Sequence, residues 1–381
     1  MTDFTLSKLA LVFDDGLYGR DQGDAPAGMF QQGDLPKMVP GSRTTTLDGQ
    51  DVNAIWNEMQ ISLAANRTLA EAKTALLTFP VSRESGKVGV PRNPGFQEAT
   101  ELGRPTKVRV ESVARAYPLV HYDLGYGYTQ EYLDSSTGAE IRAVAAEVFA
   151  ASAALDRNKV LEAIFTESNA THEALTIKRL YNSDGEVPPK FKRWAHTSTH
   201  THYLTSAGAS LADADMETIE EEIVHHGFGT WNESLVLMVN RAEMDDMRGL
   251  TNWVPVASAD RPEIIAGPIV GGNAGSAPAG LQIQGSINKL VVVEDNDIPA
   301  GYLLCFASGG RFANRNVIGL RFHENPSARG LRLIEGPNGR YPLIDAVYDK
   351  YIGAGVRQRG AAAVMKVTAG AYSDPSFDDA V

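Results

Sequence analysis

Five of the eight histidines of the chain fall in two short stretches of the sequence. The first stretch, HTSTHTH, carries His196, His200 and His202, and the second carries His225 and His226. Neutral imidazoles are the commonest zinc ligands in proteins, so this spacing could support a metal site. A metal-dependent hydrolase built on these histidines is therefore one hypothesis for the function of the chain.

The surrounding sequence favours a structural role for the histidines. In a strand, His200 and His202 would face the same side. His225 and His226 end a predicted helix, where a protonated imidazole interacts favourably with the C-terminal dipole. No HExxH motif is present, and the acidic run 220–222 is predicted to lie mostly on a solvated helix face. These patterns favour packing and hydrogen bonding over metal binding.

Other catalytic patterns are missing from the sequence, which has neither a G-x-x-x-x-G-K-[ST] phosphate loop nor a G-x-S-x-G nucleophile elbow. The paired acids at 14–15 and 245–246 are adjacent, so they would not face one another on a helix, and solvated turns explain them better. The one cysteine, Cys305, lies in the apolar run YLLCFA, which is typical of a buried thiol. We therefore predict no catalytic residue, no metal ligand and no cofactor.

The composition of the 381-residue chain is that of a globular protein, with 43% hydrophobic and 22% charged residues, and its length allows two or three domains. The formal net charge of -12 argues against a dedicated nucleic-acid binder, because an acidic surface repels phosphate. No run approaches the about 18 apolar residues of a membrane span, and the N-terminus does not resemble a signal peptide. We therefore expect a cytoplasm-like compartment.

The N-terminal third predicts an arm followed by a long β-hairpin. Residues 1–48 are rich in Gly, Asp, Pro and Thr and lack periodicity. Alternation from Lys107 to Ala114 predicts a strand, and the Gly- and Pro-punctuated stretch before it predicts the other arm and the tip. About twelve residues per arm at about 3.3 Å each would reach about 40 Å. Since the chain offers no obvious cover for such a hairpin, a neighbouring subunit is expected to cover it.

The remaining elements indicate an α+β fold. Residues 135–165 place apolar side chains at i, i+3, i+4, i+7 and i+8, which predicts a helix about 45 Å long. A second helix is predicted from Leu211 to His226, with Ser210 and Asp213 as caps and Gly227 as its end. From about residue 234 onward, the segments SLVLMV and INKLVVVED predict strands.

The C-terminal third carries strings that resemble a known family. These strings are Ile298-Pro299-Ala300-Gly301-Tyr302, Asn325-Pro326, Gly330-Leu331-Arg332-Leu333, Tyr341-Pro342-Leu343-Ile344-Asp345 and Gly355-Val356-Arg357-Gln358-Arg359-Gly360. Their order and spacing resemble the end of the major capsid proteins of tailed bacteriophages with the Hong Kong 97-type fold. The stretch from His200 to Gly229 also resembles this family. The resemblance extends over residues 80–373 and is strongest in 285–373.

The resemblance implies a Hong Kong 97-type capsid fold in four parts. These are an N-terminal arm (1–75), an extended β-hairpin or E-loop (76–134), a peripheral domain with a long spine helix (135–235 plus 352–381), and an inserted axial domain (236–351). It implies a non-enzymatic subunit that forms the pentamers and hexamers of an icosahedral head around double-stranded DNA, without specific binding to that DNA. Separate scaffolding, portal and decoration proteins are possible partners, and no membrane is involved. The expected location is the virion capsid, assembled in the host cytoplasm.

The predicted hairpin supplies the candidate intersubunit contacts, which are Lys87, Arg92, Phe96, Glu98, Lys107, Arg109 and Glu111. Some members of the family join a hairpin lysine to an asparagine of a neighbouring subunit. Asn325 and Asn338 fall in predicted loops, and neither matches the acceptor position of the family. We therefore expect a shell held together without covalent bonds. An encapsulin-type nanocompartment, which has the same fold but encloses enzymes, is the alternative within the same architecture.

Overall fold

The computed structural model describes residues 46–51, 54–55, 58, 74–90, 111–206, 208–230, 233–255, 282–335 and 343–377. Most of the predicted N-terminal arm lies outside these residues, and so does the predicted hairpin tip at 91–110. Within the described residues, two β-sheets and one long helix form the framework. None of the described helices combines the length and the apolar character needed to cross a bilayer.

The elements are numbered here in chain order. The strands are β1 (Thr78–Val81), β2 (Ser85–Val90), β3 (Glu111–Ala116), β4 (Val120–Thr129), β5 (Ala170–His172), β6 (Leu175–Ile177), β7 (Tyr203–Thr205), β8 (Ser234–Val239), β9 (Trp253–Pro255), β10 (Gln282–Ile287), β11 (Leu290–Glu294), β12 (Tyr302–Ser308), β13 (Ile318–Arg321), β14 (Arg332–Glu335), β15 (Leu343–Val356) and β16 (Ala362–Lys366). The α-helices are α1 (Gln130–Ser135), α2 (Gly138–Phe165), α3 (Asp213–Val224) and α4 (Met244–Arg248).

The long predicted helix is present as α2, which has 28 residues and is therefore about 42 Å long. A capping box begins it, because the Thr137 side chain accepts from the backbone of Glu140 while the Thr137 backbone N–H donates to the Glu140 carboxylate at 2.7 Å. Ile141, Ala145 and Val148 are buried, as the apolar stripe of the sequence predicts.

The first sheet forms the surface on which α2 lies. Its strand order is β1-β13-β15-β14, and β4 pairs with β15 along ten residues of each strand. Lys350 of β15 is buried and ties the sheet to the helix. Its ammonium donates to the Ser152 carbonyl at 3.0 Å and forms an ion pair with Asp156 at 2.5 Å. The Ser152 hydroxyl, at 2.7 Å, is a third oxygen partner, and these contacts of a buried lysine fix the position of the helix along the strand.

The second sheet has seven strands in the order β7-β16-β12-β8-β11-β10-β9. Every residue of the central strand β12 is buried, including Cys305, which confirms the prediction of a buried thiol. Burial also raises the pKa of that thiol well above its ordinary value. Helix α3 packs against β12 and β16 through Met216, Ile219 and Ile223, all of which are fully buried.

The two sheets do not follow the domain boundaries predicted from the sequence. β7 and β16 fall in the predicted peripheral segments, yet they share the seven-stranded sheet with β8, β11 and β12 of the predicted axial segment. β15 runs through the predicted boundary at 351/352, since it spans Leu343–Val356. The division of the chain into four parts at the predicted boundaries remains a prediction.

Helix α3 is shorter than predicted and has a different cap. It begins after Ala212, whose backbone N–H donates to the Asp215 carboxylate at 2.9 Å, so Ser210 and Asp213 do not serve as the predicted caps. Gly227 follows the helix end with a φ of +85°, as the predicted stop requires. A side chain there would also collide with the Phe191 ring, 2.7 Å from the position of an added Cβ.

We expect Gly353→Ala to lower the free energy of unfolding by about 1–3 kcal/mol, because overpacking forces the backbone to move. Gly353 lies on β15, and a Cβ there would fall 1.6 Å from the carbonyl oxygen of Pro118. Gly125 is the matched control, since it lies in the paired strand β4 with no atom within 4 Å of an added Cβ. Urea-induced unfolding should give Gly125→Ala a change within about 0.5 kcal/mol. Equal effects of the two substitutions would contradict this account of the sheet.

Candidate functional site

The base of the predicted hairpin is formed by β2 and β3, which pair antiparallel from Ser85↔Ala116 to Val90↔Glu111. Lys87 is exposed on β2, opposite Ala114. Of the other predicted contacts, Glu111 is described only by its backbone pairing, and Arg92, Phe96, Glu98, Lys107 and Arg109 lie outside the described residues. Their role as intersubunit contacts remains a prediction.

The same chain covers the base of this hairpin, although the sequence shows no obvious cover for it. Arg115 of β3 is almost fully buried and donates to both carboxylate oxygens of Glu186, at 2.8 and 3.4 Å. The Tyr117 ring packs against Gly86 and against the backbone at Gly319. Local sequence patterns do not predict these contacts, because Arg115 and Glu186 are 71 positions apart.

Glu186 also binds a second buried arginine, Arg359, which no solvent reaches. The Arg359 Nε donates to the carbonyl of Arg179 at 2.7 Å, and its Nη2 donates to the carbonyl of Leu180 at 2.9 Å. Its Nη1 donates to Glu186 at 2.9 Å and to Asp184 at 3.2 Å. The guanidinium is thereby bound to the backbone and the carboxylates of one loop.

Both carboxylates of this loop are held in the ionised form. Burial alone would raise the pKa of Asp184, but hydrogen bonds from Lys178, Arg359 and Asn169 hold it well below its ordinary value. Burial acts in the same direction on Glu186, and its pKa is nevertheless lowered by Arg115 and Arg359. The buried charges of this region are therefore paired.

Tyr181 connects the buried arginine to the histidines. The Arg359 guanidinium lies 4.6 Å from the centroid of the Tyr181 ring. The Tyr181 ring also stacks on the His226 ring, with centroids 5.3 Å apart and planes at 21° to each other. The two features form one continuous packed unit.

The structure brings together all five histidines of the two sequence stretches, with Glu222 beside them. We call this group the histidine cluster; it consists of His196, His200, His202, Glu222, His225 and His226. Three segments of the chain surround it: the loop that leads into β7, the last turn of α3 with the residues after it, and the start of β16. His200 and His202 precede β7, which begins at Tyr203, so they do not lie within a strand as predicted.

Backbone pairing fixes the loop that carries the first three histidines. The His202 N–H donates to the carbonyl of Tyr181 at 2.8 Å, and the His202 carbonyl accepts from Val364 of β16 at 2.9 Å. On the helix side, Glu222 and His225 are three residues apart and therefore share one face. Gly360 is also required, because a Cβ there would lie 2.7 Å from the His226 ring.

The ring nitrogens meet at the centre of the cluster. The Nε2 atom of His226 lies 2.9 Å from the Nε2 atoms of both His200 and His202, which are 3.1 Å from each other. The Nε2 atom of His225 is 3.4 Å from that of His200. A Glu222 carboxylate oxygen lies 3.2 Å from His225 Nε2 and 3.4 Å from His200 Nε2.

The pKa values of four imidazoles of the cluster are lowered, which favours their neutral form. Burial lowers the pKa of His202 and of His226 far below the ordinary value, and neighbouring histidines act in the same direction. The same causes lower the pKa of His196 to about 4. Burial also lowers the pKa of His200. The position of His226 at a helix end predicts a protonated imidazole. Its lowered pKa contradicts that prediction, because burial disfavours the charged form of the ring.

Glu222 is the one member of the cluster that sequence reasoning missed. It was predicted to lie on a solvated face, but its side chain is only 20% exposed and points at His200 and His225. The signal that could have found it is the spacing of three residues between Glu222 and His225, which places them on one helix face.

Comparison with known proteins identifies the family. No protein-family model matches the chain, and no curated protein matches it. A solved structure from Mycobacterium phage Patience is 34% identical, with a TM-score of 0.64, over 89% of this chain and 94% of that one. The chain belongs to the phage major capsid proteins.

Two more distant structures also match. The capsid of a native GTA particle is 15% identical with a TM-score of 0.46, over 79% of this chain and 90% of that one. The SrpI encapsulin complex of Synechococcus elongatus PCC 7942 is 12% identical with a TM-score of 0.45, over 82% and 92% of the respective chains.

We expect Arg359→Met to cost about 3–5 kcal/mol of unfolding free energy at pH 7, because it leaves the Asp184 and Glu186 carboxylates without their buried partner. The folded-state pKa values of both acids are depressed, so their contribution is present above the ordinary values of 3.8 and 4.5 and is lost as the pH falls through the folded-state values. The difference between variant and wild type should therefore shrink on acidification.

Urea titrations between pH 7 and the start of acid unfolding would measure both effects of the Arg359 substitution. Arg248→Met is the matched control, since Arg248 pairs with the exposed Asp245 on α4. That substitution should change the stability by about 0.5 kcal/mol or less at any pH. An Arg359 variant as stable as the Arg248 variant would contradict the assigned role.

Proposed function

We propose that this chain is the shell subunit of an icosahedral phage head, which it builds as pentamers and hexamers around double-stranded DNA. The observation that carries the proposal is the 34% identity to the Patience structure across 89% of the chain. The sequence strings from Ile298 to Gly360 that resemble tailed-phage capsid proteins support it independently. The subunit has a structural role and no enzymatic one in this proposal.

A Hong Kong 97-type layout suits the arrangement of the elements. The long helix α2, lying on the sheet of β4 and β15, corresponds to the spine helix of a peripheral domain. The paired strands β2 and β3 correspond to the base of an E-loop within 76–134, and residues 1–75 to an N-terminal arm. For the axial domain, the seven-stranded sheet is a better unit than the segment 236–351, because its hydrogen bonds also include β7 and β16.

The charge of the subunit suits a container for DNA. A formal charge of -12 disfavours tight binding of phosphate, so the packaged duplex would stay free to be packed and released. The subunit would act with separate scaffolding, portal and decoration proteins, without a membrane. It would be assembled in the host cytoplasm and end in the capsid of the virion.

The hairpin is the proposed contact between subunits. Its base is rigid, because Arg115 and Tyr117 fix it to the body of the subunit, while Lys87 is exposed on β2. A rigid base, followed in the sequence by several charged residues, suits an extension that reaches onto a neighbour. The proposed contact residues are Lys87, Arg92, Phe96, Glu98, Lys107, Arg109 and Glu111.

Replacing residues 91–110 by a short Gly-Ser turn tests the assembly function directly. The wild-type chain should form closed shells of uniform size in electron micrographs, with DNA that resists nuclease in heads from infected cells. The variant retains β2, β3 and the Arg115–Glu186 pair, so it should remain soluble and folded by circular dichroism but fail to close shells.

Three results would count against parts of the assembly proposal. Variant shells of normal size and stability would remove the hairpin from the subunit contact. Wild-type shells that enclose protein rather than DNA would favour an encapsulin-type compartment. A chain that stays monomeric and hydrolyses test substrates in a metal-dependent way would favour the hydrolase hypothesis.

The shell is expected to be held together without covalent bonds. A lysine must be desolvated and partly neutral to attack an amide, and Lys87 is exposed in the subunit. Asn325 caps a short 3-10 helix by accepting from the Ser327 backbone at 3.1 Å, so its side chain already has a local role. Boiled particles on a denaturing gel should run as one band near 41.0 kDa. A ladder of dimers to hexamers would disprove this, and Lys87→Arg would then show whether Lys87 is the donor.

A further inference from the structure

The histidine cluster is unusual because it concentrates ligand atoms where the capsid fold requires none. Among the described residues, the cluster supplies both groups of side chains whose ligand atoms lie close enough to share one metal ion. His200 and His225 belong to both groups, and all ligand atoms within a group lie within 4.8 Å of one another. Packing alone would need apolar rings rather than imidazoles.

The Nε2 atoms of His200, His202 and His226 cannot all be satisfied by hydrogen bonds to one another. Each imidazole Nε2 offers a single in-plane site, either an N–H or a lone pair, and a hydrogen bond uses two such sites. The Nε2 atoms of His200, His202 and His226 form a triangle with edges of 2.9–3.1 Å, so one of the three is left without a partner inside it. Outside the triangle, the nearest polar atoms to the His200 Nε2 atom are the His225 Nε2 atom and a Glu222 carboxylate oxygen, both 3.4 Å away.

The tautomer of His202 is fixed in the form that a metal ligand needs. Its Nδ1 atom lies 2.6 Å from the carbonyl oxygen of Ala362, which can only accept, so Nδ1 carries the proton. The lone pair of His202 is therefore on Nε2, at the centre of the cluster. A ligating histidine typically donates its other N–H to a carbonyl or carboxylate in this way.

The dimensions of the triangle fit a tetrahedral ion. Zinc–nitrogen bonds of about 2.0–2.1 Å in a tetrahedron place neighbouring nitrogens about 3.3–3.4 Å apart. The distances among the four Nε2 atoms that are in contact run from 2.9 to 3.4 Å. Outward shifts of a few tenths of an ångström would therefore open the cluster to the size that the ion requires.

We propose that the histidine cluster binds one divalent transition-metal ion of the zinc class through four of its side chains, of which His200 and His225 belong to both groups. The Glu222 carboxylate oxygen lies 3.2 Å from the Nε2 atom of His225 and would supply a negative charge beside the ion. Four protein ligands leave no open position, and His202, His225 and His226 are buried, so the site is structural rather than catalytic. The ion joins the loop before β7 to the end of α3.

The Arg359 guanidinium near the cluster does not act as an unpaired charge, because Asp184 and Glu186 pair with it at 3.1 and 2.9 Å.

Metal content and cobalt spectroscopy of the untagged full-length chain test this proposal. Protein produced with added zinc and then dialysed should retain about one zinc per chain. After removal of the zinc by a chelator, Co²⁺ titration should produce the visible absorption of a tetrahedral site. Removal should also lower the melting temperature, since bound metal stabilises the folded state.

Two variants distinguish the cluster from adventitious histidine binding. His200→Gln, on the less buried side of the cluster, should weaken Co²⁺ binding by about tenfold or more. His172→Gln is the matched control, because His172 lies on β5 outside the cluster, and it should bind as the wild type does. If His200→Gln does not fold, the cobalt spectrum of the wild type decides alone.

Wild-type protein with well under one zinc per chain and no tetrahedral cobalt absorption would overturn the proposal. Equal Co²⁺ affinity in the folded His200→Gln variant and the wild type would also overturn it. None of these outcomes depends on shell assembly, so failure of the metal site and failure of the capsid function can be distinguished.

Discussion

The burial of Arg359 is the interaction on which the packing of the hairpin base and the histidine cluster depends. Its five N–H groups find partners in two backbone carbonyls, Asn182, Asp184 and Glu186. A lysine could not replace it, because an ammonium has three donors and lacks the rigid planar fork. The cost of desolvating the charge is offset only while every one of these partners stays in place.

This one side chain couples two regions that have different tasks. Through Glu186 it shares a carboxylate with Arg115 and so holds the base of β2 and β3. Arg359 also contacts the Tyr181 ring, which stacks on the His226 ring. Gly360, the next residue in the chain, leaves the space that the His226 ring occupies. A shell subunit needs such a rigid body, because an extension can direct a neighbour only if its base does not move.

Local patterns in the sequence predicted the local elements and failed where distant segments meet. The length of α2 and the end of α3 at Gly227 follow from periodicity and from glycine geometry, which are properties of neighbouring residues. The order of the strands in the sheets does not follow from such local patterns. β16 pairs with β7 and β12, and β15 crosses the predicted boundary at 351/352. Glu222 was misassigned for the same reason: a helix face is polar both where it meets water and where it meets a ligand cluster.

The histidine cluster and Arg359 both place polar groups in the interior of the protein, where such groups need partners. Each brings together polar groups from segments far apart in sequence, in a region where a small domain would ordinarily use apolar packing. Arg359 is satisfied by oxygen atoms that the protein itself supplies. The Nε2 atoms of His200, His202 and His226 are directed at one another, and the triangle that they form can hold only one hydrogen bond. A cation at that point would be bound by the convergent nitrogens and would link the chain segments that carry them. The geometry therefore favours a metal ion over packing.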